Sequence, residues 1–161
     1  IQVVQVVKTD SESLTSTNTE QLITGMEATI TPKFNTSKIL VQVVLHASVG
    51  GSFAAHYAVL KRGSTSICIG DAGIAGQSRV TLSLQSPNHF SDNHSSLYGP
   101  GQSCINFLDS PATTSAVTYG LYHADATSGG TNALYINRGV GNDQSYYNRT
   151  ASTIILMEVS V

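Results

Sequence analysis

The last stretch of the chain, residues 149–161, has apolar residues on both faces of a predicted β-strand. A strand with one face in a core and the other in water alternates apolar with polar residues, and this strand does not. One face carries Ile155, Met157, Val159 and Val161, and the other carries Ile154 and Leu156 beside Glu158 and Ser160. The pattern predicts that protein covers both faces. In a chain this short, we expect the second cover to be another copy of the chain.

Charged residues are scarce. They make up 11% of the 161 residues, against about 25% in an average soluble protein. The net charge is −2, and the 8 Lys and Arg residues are spread over the whole length. Such a surface is typical of tight oligomers, lectins and exposed particle surfaces, and the lack of a basic patch argues against nucleic-acid binding. No apolar run approaches the roughly 20 residues of a membrane helix, so we expect no membrane insertion.

Short apolar runs separated by Gly, Asn, Asp, Ser and Pro clusters recur along the chain, without the periodicity of a helix. This rhythm predicts an all-β fold, a jelly-roll-like two-sheet β-sandwich, in a single domain over residues 1–161. Ile1 is not a natural first residue, so this domain can be the C-terminal part of a longer chain. The predicted strands are Gln2–Lys8, Leu22–Thr31, Lys38–Val49, Phe53–Lys61, Thr65–Ile69, Gln77–Leu84, Gln102–Leu108, Ala116–His123, Ala133–Arg138 and the last strand. The predicted polar loops are Thr9–Asn18, Ser86–Gly101 and Gly139–Thr150.

The first strand, Gln2–Lys8, is apolar on both faces, like the last. We therefore expect the two terminal strands to lie together in one sheet that neighbouring subunits partly cover. The residues predicted to form the contact between subunits are Val4, Val6, Ile154 and Leu156.

Neither a metal site nor a disulfide is required by the sequence. His89 and His94, with Asp92 between them, could ligate a divalent ion, but the spacing fits no usual ligand pair, and a solvated loop is the preferred interpretation. Cys68 and Cys104 lie in apolar runs, which favours buried free thiols and leaves a disulfide open. The histidines placed in strands, and expected to be half-buried with their hydrogen bonds satisfied, are His46, His56 and His123.

No catalytic constellation stands out. Gly-x-Ser-x-Gly does not occur, and the many Ser and Thr residues indicate no particular nucleophile. A pair of carboxylates could act as in a glycosidase. However, Asp71, Asp109, Asp125 and Asp143 stand in turn contexts, where an Asp side chain commonly bonds its own backbone. We therefore predict that the chain is not an enzyme and has no catalytic residue, metal or cofactor.

Two predicted loops combine aromatic rings with hydrogen-bonding side chains, a mixture that suits sugars. Alternatively, their tyrosines pack at sheet ends or at subunit contacts. The candidate ligand-binding residues are Asp92, His94 and Tyr98 in the first loop, and Asn142, Asp143, Tyr146 and Tyr147 in the second.

Several strings occur in a consistent order over most of the chain: Gly25–Pro32, Ser37–Val41, Leu60–Gly63, Asn106–Pro111, Tyr135–Arg138 and Arg149–Val159. They resemble strings in small domains at the ends of phage structural proteins, common in cyanophage and other marine phage tail-fibre and virion proteins. The resemblance implies a trimeric β-sandwich on a virion, at a fibre tip or on the capsid surface, without a catalytic motif.

These observations predict a non-enzymatic virion structural protein, a homotrimeric tail-fibre tip that binds host-surface glycans. Its expected partners are its own copies, other virion proteins and host cell-surface polysaccharide. A capsid-decorating protein that stabilises the shell is one alternative, and a soluble carbohydrate-binding lectin is another. A polysaccharide-degrading enzyme is the least favoured interpretation.

Overall fold

The computed structural model describes residues 2–15, 18–50, 56–71, 83–85, 99–126, 133–141, 145 and 147–160. These residues form 11 β-strands. The strands are β1 (Val3–Lys8), β2 (Glu12–Leu14), β3 (Gln21–Ile30), β4 (Lys38–Val49), β5 (His56–Arg62), β6 (Thr65–Ile67), β7 (Leu84–Gln85), β8 (Gly101–Asp109), β9 (Val117–Asp125), β10 (Leu134–Ile136) and β11 (Ser152–Val159). The described residues include no helix of the length and apolar character needed to cross a membrane.

The strands form two antiparallel sheets. Sheet A has the order β1-β11-β4-β10-β2, with β8 on the other side of β4, and sheet B has the order β3-β9-β5-β6, with β7 also paired to β5. Four antiparallel pairs follow one another from the chain ends towards its middle: β1–β11, β3–β9, β4–β8 and β5–β6. Successive pairs lie alternately in sheet A and sheet B. This is a jelly-roll arrangement. The predicted two-sheet β-sandwich and the pairing of the terminal strands are confirmed.

Alternate residues of the long strands point into the core. On β4, whose predicted bounds are confirmed, the inward side chains are at most 5% exposed. On β9, the inward face combines apolar residues with a tyrosine and a histidine. The inward residues are Ile39, Val41, Val43 and Leu45 on β4, and Val117, Tyr119, Leu121 and His123 on β9.

The inward face of the last strand is the face predicted to contact a second subunit. Ile154 and Leu156 have 0% exposure in the single chain, and Val4 and Val6 are partly buried against the same core. A side chain with no exposed area in its own chain has none left to bury against a second copy. The prediction that Ile154 and Leu156 face a partner is therefore corrected, and the outward face of β11 is the one that a partner can reach.

Other differences lie near turns. The short strand β2 falls within the expected loop Thr9–Asn18. β6 ends before Cys68, which has a φ of 54°, a left-handed conformation that interrupts a strand. Both cysteines are free, as favoured, but Cys104 is exposed, so the prediction of burial is wrong for that thiol. The expected strand Gln77–Leu84 lies almost wholly outside the described residues.

A buried asparagine joins the strands of sheet A. Asn137 follows β10, has 0% exposure and a φ of 60°. Its Nδ2 donates to the carbonyls of Lys8 at 2.8 Å and Asp10 at 2.9 Å, and its Oδ1 accepts from the Ser152 hydroxyl at 2.6 Å. Its backbone N–H donates to the His46 carbonyl at 2.9 Å. This one residue ties β10 to the ends of β1 and β11 and to β4.

We expect Asn137→Gly to destabilise the protein by about 2–4 kcal/mol, because it leaves buried polar groups without partners. Asn137→Ala should cost roughly 1 kcal/mol more, because alanine also disfavours a positive φ. Urea unfolding followed by circular dichroism measures both. A glycine variant as stable as the original protein would contradict the role of the side chain.

Candidate interaction surfaces

The outer face of sheet A is uncharged over 12 positions on its four longest strands. The register aligns Val3 with Met157, Met157 with Leu40, and Leu40 with Leu108, and we call these four residues the apolar row. Val3 is 58% exposed and Leu108 is 47% exposed. The remaining positions are Gln5, Ile155, Gln42 and Asn106 in the second row, and Val7, Thr153, Val44 and Cys104 in the third.

The outer face of sheet B is polar instead. Lys61 pairs with Glu20, and its Nζ lies 4.7 Å from the centroid of the Tyr122 ring. The hydroxyls of Thr29 and Thr118 lie 2.7 Å apart on neighbouring strands. The sandwich therefore presents one hydrated, charged face and one largely apolar face that carries no charge over those 12 positions. The second kind of face is typical of a contact surface.

A buried carboxylate links the two sheets at one end of the sandwich. Asp109, at the end of β8, accepts hydrogen bonds from Arg62 Nη1 at 3.0 and 2.9 Å and from the Tyr119 hydroxyl at 2.7 Å. Burial raises the pKa of Tyr119 far above its usual range, and the hydrogen bond to Asp109 raises it further, so the hydroxyl stays protonated and donates. The expectation that Asp109 serves a turn is corrected, because its side chain holds β8 to β5 and β9.

Two buried histidines and an aspartate lie at the opposite end of β5 and β9. His56, His123 and Asp125 are at most 1% exposed. His56 Nδ1 lies 3.0 Å from His123 Nε2, the rings stack with centroids 5.2 Å apart, and His56 Nε2 is 3.9 Å from an Asp125 oxygen. Both histidines are thus fully rather than half-buried, and Asp125 lies in a strand rather than in the expected turn.

The position of the Asp125 carboxylate indicates which nitrogens of His56 and His123 carry protons. A proton on His56 Nε2 faces Asp125, which leaves His56 Nδ1 to accept from His123 Nε2–H, and each ring is then neutral. Burial and, to a smaller extent, the neighbouring His56 lower the pKa of His123, Asp125 opposes both, and the resulting pKa is about 4. The cluster has almost no exposed surface, so its arrangement serves the core rather than a substrate.

Of the seven predicted ligand-binding residues, only Tyr147 lies within the described residues. Its ring packs on Gly141 so closely that a Cβ on that glycine would have no room. Near it, a Cβ on Gly99 would lie 3.2 Å from the side-chain nitrogen of Asn148, so the ends of the two predicted sugar-binding loops meet. The residues outside the described part are Asp92, His94, Tyr98, Asn142, Asp143 and Tyr146.

Across the described ranges, no group of three or more His, Cys, Asp and Glu side chains is arranged to hold a metal ion. His89 and His94, the histidines considered as ligands, lie outside those ranges. The predictions that the chain has no metal, no cofactor and no catalytic residue stay predictions.

Comparisons with known proteins leave the family open. No family model matches the chain, and no curated protein matches its sequence. Among solved structures, it is similar to the VP2 subviral particle of infectious bursal disease virus, at 13% identity and a TM-score of 0.47, over 96% of this chain and 36% of that one. The structure of the Gt strain of the same virus gives 12% identity and a TM-score of 0.49, over 99% and 38%.

The chain spans little more than a third of the length of those solved chains. Likenesses this distant carry no argument about what the protein does. The all-β architecture is established by the strands and pairings of the chain itself.

The histidine pair should make the protein less stable in mild acid. The pKa of His123 is lowered to about 4 in the folded state, so between about pH 6.5 and 4 the unfolded chain takes up a proton that the folded chain does not. Stability should therefore fall as the pH falls through this window, by up to about 3 kcal/mol, and should be level above it.

Urea unfolding at several pH values measures this loss. Carboxylates titrate in the same range, so the matched comparison is His123→Gln, which removes this titrating group and keeps a polar side chain. The variant should lose less stability than the original protein between pH 7 and pH 4. Parallel curves for the two proteins would contradict the assignment.

Proposed function

We propose that this chain is a non-enzymatic structural domain of a phage virion, a homotrimer at the tip of a tail fibre that contacts glycans on the host surface. The observation that carries the proposal is the outer face of sheet A, uncharged over 12 positions, with its apolar row, Val3, Met157, Leu40 and Leu108. The resemblance of the sequence to phage virion domains supplies the context for that face and the trimeric state.

The contrast between the two outer faces supports self-assembly. Exposed apolar surface of this kind is costly in water, and association removes it. A second copy suits the face because uncharged surfaces meet without charges to desolvate or to pair. In a closed trimer, each copy would offer the same two patches to its neighbours.

The strings that carry the resemblance hold structural contacts, which supports a structural rather than a catalytic domain. Arg62, in the string Leu60–Gly63, forms the ion pair with Asp109, in the string Asn106–Pro111. Arg138 of a third string donates to the Ser13 hydroxyl at 2.7 Å and lies 4.1 Å from the centroid of the Tyr135 ring.

The fold is compatible with the proposal without deciding it. Jelly rolls occur in viral capsid domains and in lectins, and one fold commonly hosts many functions. Capsid decoration and a soluble lectin therefore remain the competing functions, and they differ from a fibre tip in location and in ligand.

Light scattering coupled to size exclusion at micromolar concentration tests the assembly. We expect a trimer, and we expect Val3→Lys combined with Leu108→Lys to give monomers, because each subunit would then bring two charges into the contact. Both side chains are already exposed in the single chain, so the melting temperature of the monomer should change little. The matched control is Phe34→Lys, an equally exposed apolar residue in the turn before β4. A monomeric original protein would contradict the proposal.

Antibody labelling of virions separates the fibre tip from capsid decoration, since signal should appear on the tail and not on the head. A glycan array tests recognition. We expect binding to one class of sugar that is lost when Tyr146→Ala is combined with Tyr147→Ala. Release of fragments from host polysaccharide would support an enzyme instead.

A further inference from the structure

A pocket of about 420 Å³ opens beside the Arg62–Asp109 pair. Its volume falls within the range of roughly 300–1,000 Å³ that is usual for small-molecule sites. None of its lining residues is among the 12 positions of the outer face of sheet A. The lining residues that matter are Arg62, Pro111, Thr113, Ala116, Val117 and Thr118.

The loop that shapes this pocket is strained. Ala112, between the two lining residues Pro111 and Thr113, has a φ of 52°. A residue with a Cβ adopts this left-handed conformation at a cost, and such costs concentrate at functional sites. The Thr113 hydroxyl accepts a hydrogen bond from the Ser115 N–H at 3.0 Å, which fixes its orientation.

Arg62 brings hydrogen-bond donors to the pocket without a net charge. Its Nη1 is engaged by Asp109 and by the Ser110 carbonyl at 3.4 Å. Its Nε and Nη2 donate to no other residue in the described ranges, and the side chain is 31% exposed. Asp109 balances the guanidinium charge, so the pocket attracts an anion less than a free arginine would.

We propose that this pocket binds one neutral saccharide unit. Sugar hydroxyls would accept from Arg62 and exchange hydrogen bonds with Thr113 and Thr118. The aliphatic surfaces of Pro111 and Ala116 would pack against sugar C–H groups. An acidic sugar is disfavoured because its carboxylate would approach that of Asp109. The inference rests on the proposed contact with host glycans. It adds this pocket to the two loops predicted to bind sugars and names a neutral sugar as its ligand.

Nitrogen-15 NMR titration of the full chain tests the site, with glucose, galactose, mannose and N-acetylglucosamine as neutral probes and glucuronate as the acidic probe. We expect at least one neutral sugar to shift the amide signals of Thr113, Val117 and Thr118, and of Gly63, which also lines the pocket, with a millimolar dissociation constant. Glucuronate should bind more weakly than that sugar.

Ala116→Phe places a large ring in the pocket at an exposed position, so the fold should survive. It should weaken binding at least about tenfold. The matched control is Ser115→Phe, also exposed and outside the lining, and it should bind as the original protein does. No shift with any neutral sugar, or equal effects of the two variants, would overturn the site. Tighter binding of glucuronate would overturn its neutral specificity.

Light scattering on the same samples separates this inference from the proposed function. Ala116→Phe should leave the trimer intact, because none of the 12 positions of the outer face of sheet A lines the pocket. A monomeric original protein that still binds sugar would contradict the proposed assembly and support the pocket. A trimer that binds no sugar in this pocket would support the proposed assembly and contradict the pocket.

Discussion

The antiparallel pairing of the first strand with the last organises the rest of the jelly roll. It runs from Val3 opposite Met157 to Lys8 opposite Ser152 and joins the two ends of the chain. β11 then lies between β1 and β4, so the terminal pair also positions the long central strand of sheet A. Contacts between distant parts of a chain cost loop-closure entropy. Burial of the inward side chains of β11 and the hydrogen bonds of Asn137 offset that cost at this pairing.

Sheet B is held differently, by polar groups at both ends of an apolar middle. Leu60 lies opposite Leu121, with the Arg62–Asp109 pair towards one end and the two stacked histidines towards the other. Buried polar groups add little stability compared with apolar packing, but they are costly when separated from their partners. A slip of one residue between β5 and β9 would separate them and turn every side chain to the wrong face. The polar ends therefore fix the register that the apolar middle alone would leave weakly specified.

These differences explain which parts of the structure could be predicted from the sequence. On β4, one face from Ile39 to Leu45 is wholly apolar and the other mixes apolar with polar residues, so its bounds and its two faces could be predicted. On β11, the more apolar face points outward and the mixed face enters the core, so the sequence did not show which face is buried. The contacts of Asn137 and of Arg62 with Asp109 join residues far apart in the chain. No local sequence pattern predicts which residues form these pairs, although the strings that carry the resemblance contain Asn137, Arg62 and Asp109. Most of the predicted ligand residues lie outside the described part of the chain.

The outer face of sheet A favours association because the 12 positions carry no charge. Proteins commonly protect exposed strands with charges, especially lysine. The only lysine of β1 is Lys8, and it turns inward to form ion pairs with Asp10 at 2.8 Å and Glu12 at 3.2 Å. It therefore adds no charge to the outer face. With a net charge of only −2 on the chain, little repulsion keeps two copies apart. The ion pairs that hold Lys8 at the end of β1 therefore also keep its charge away from the outer side chains of that strand, where it would oppose association.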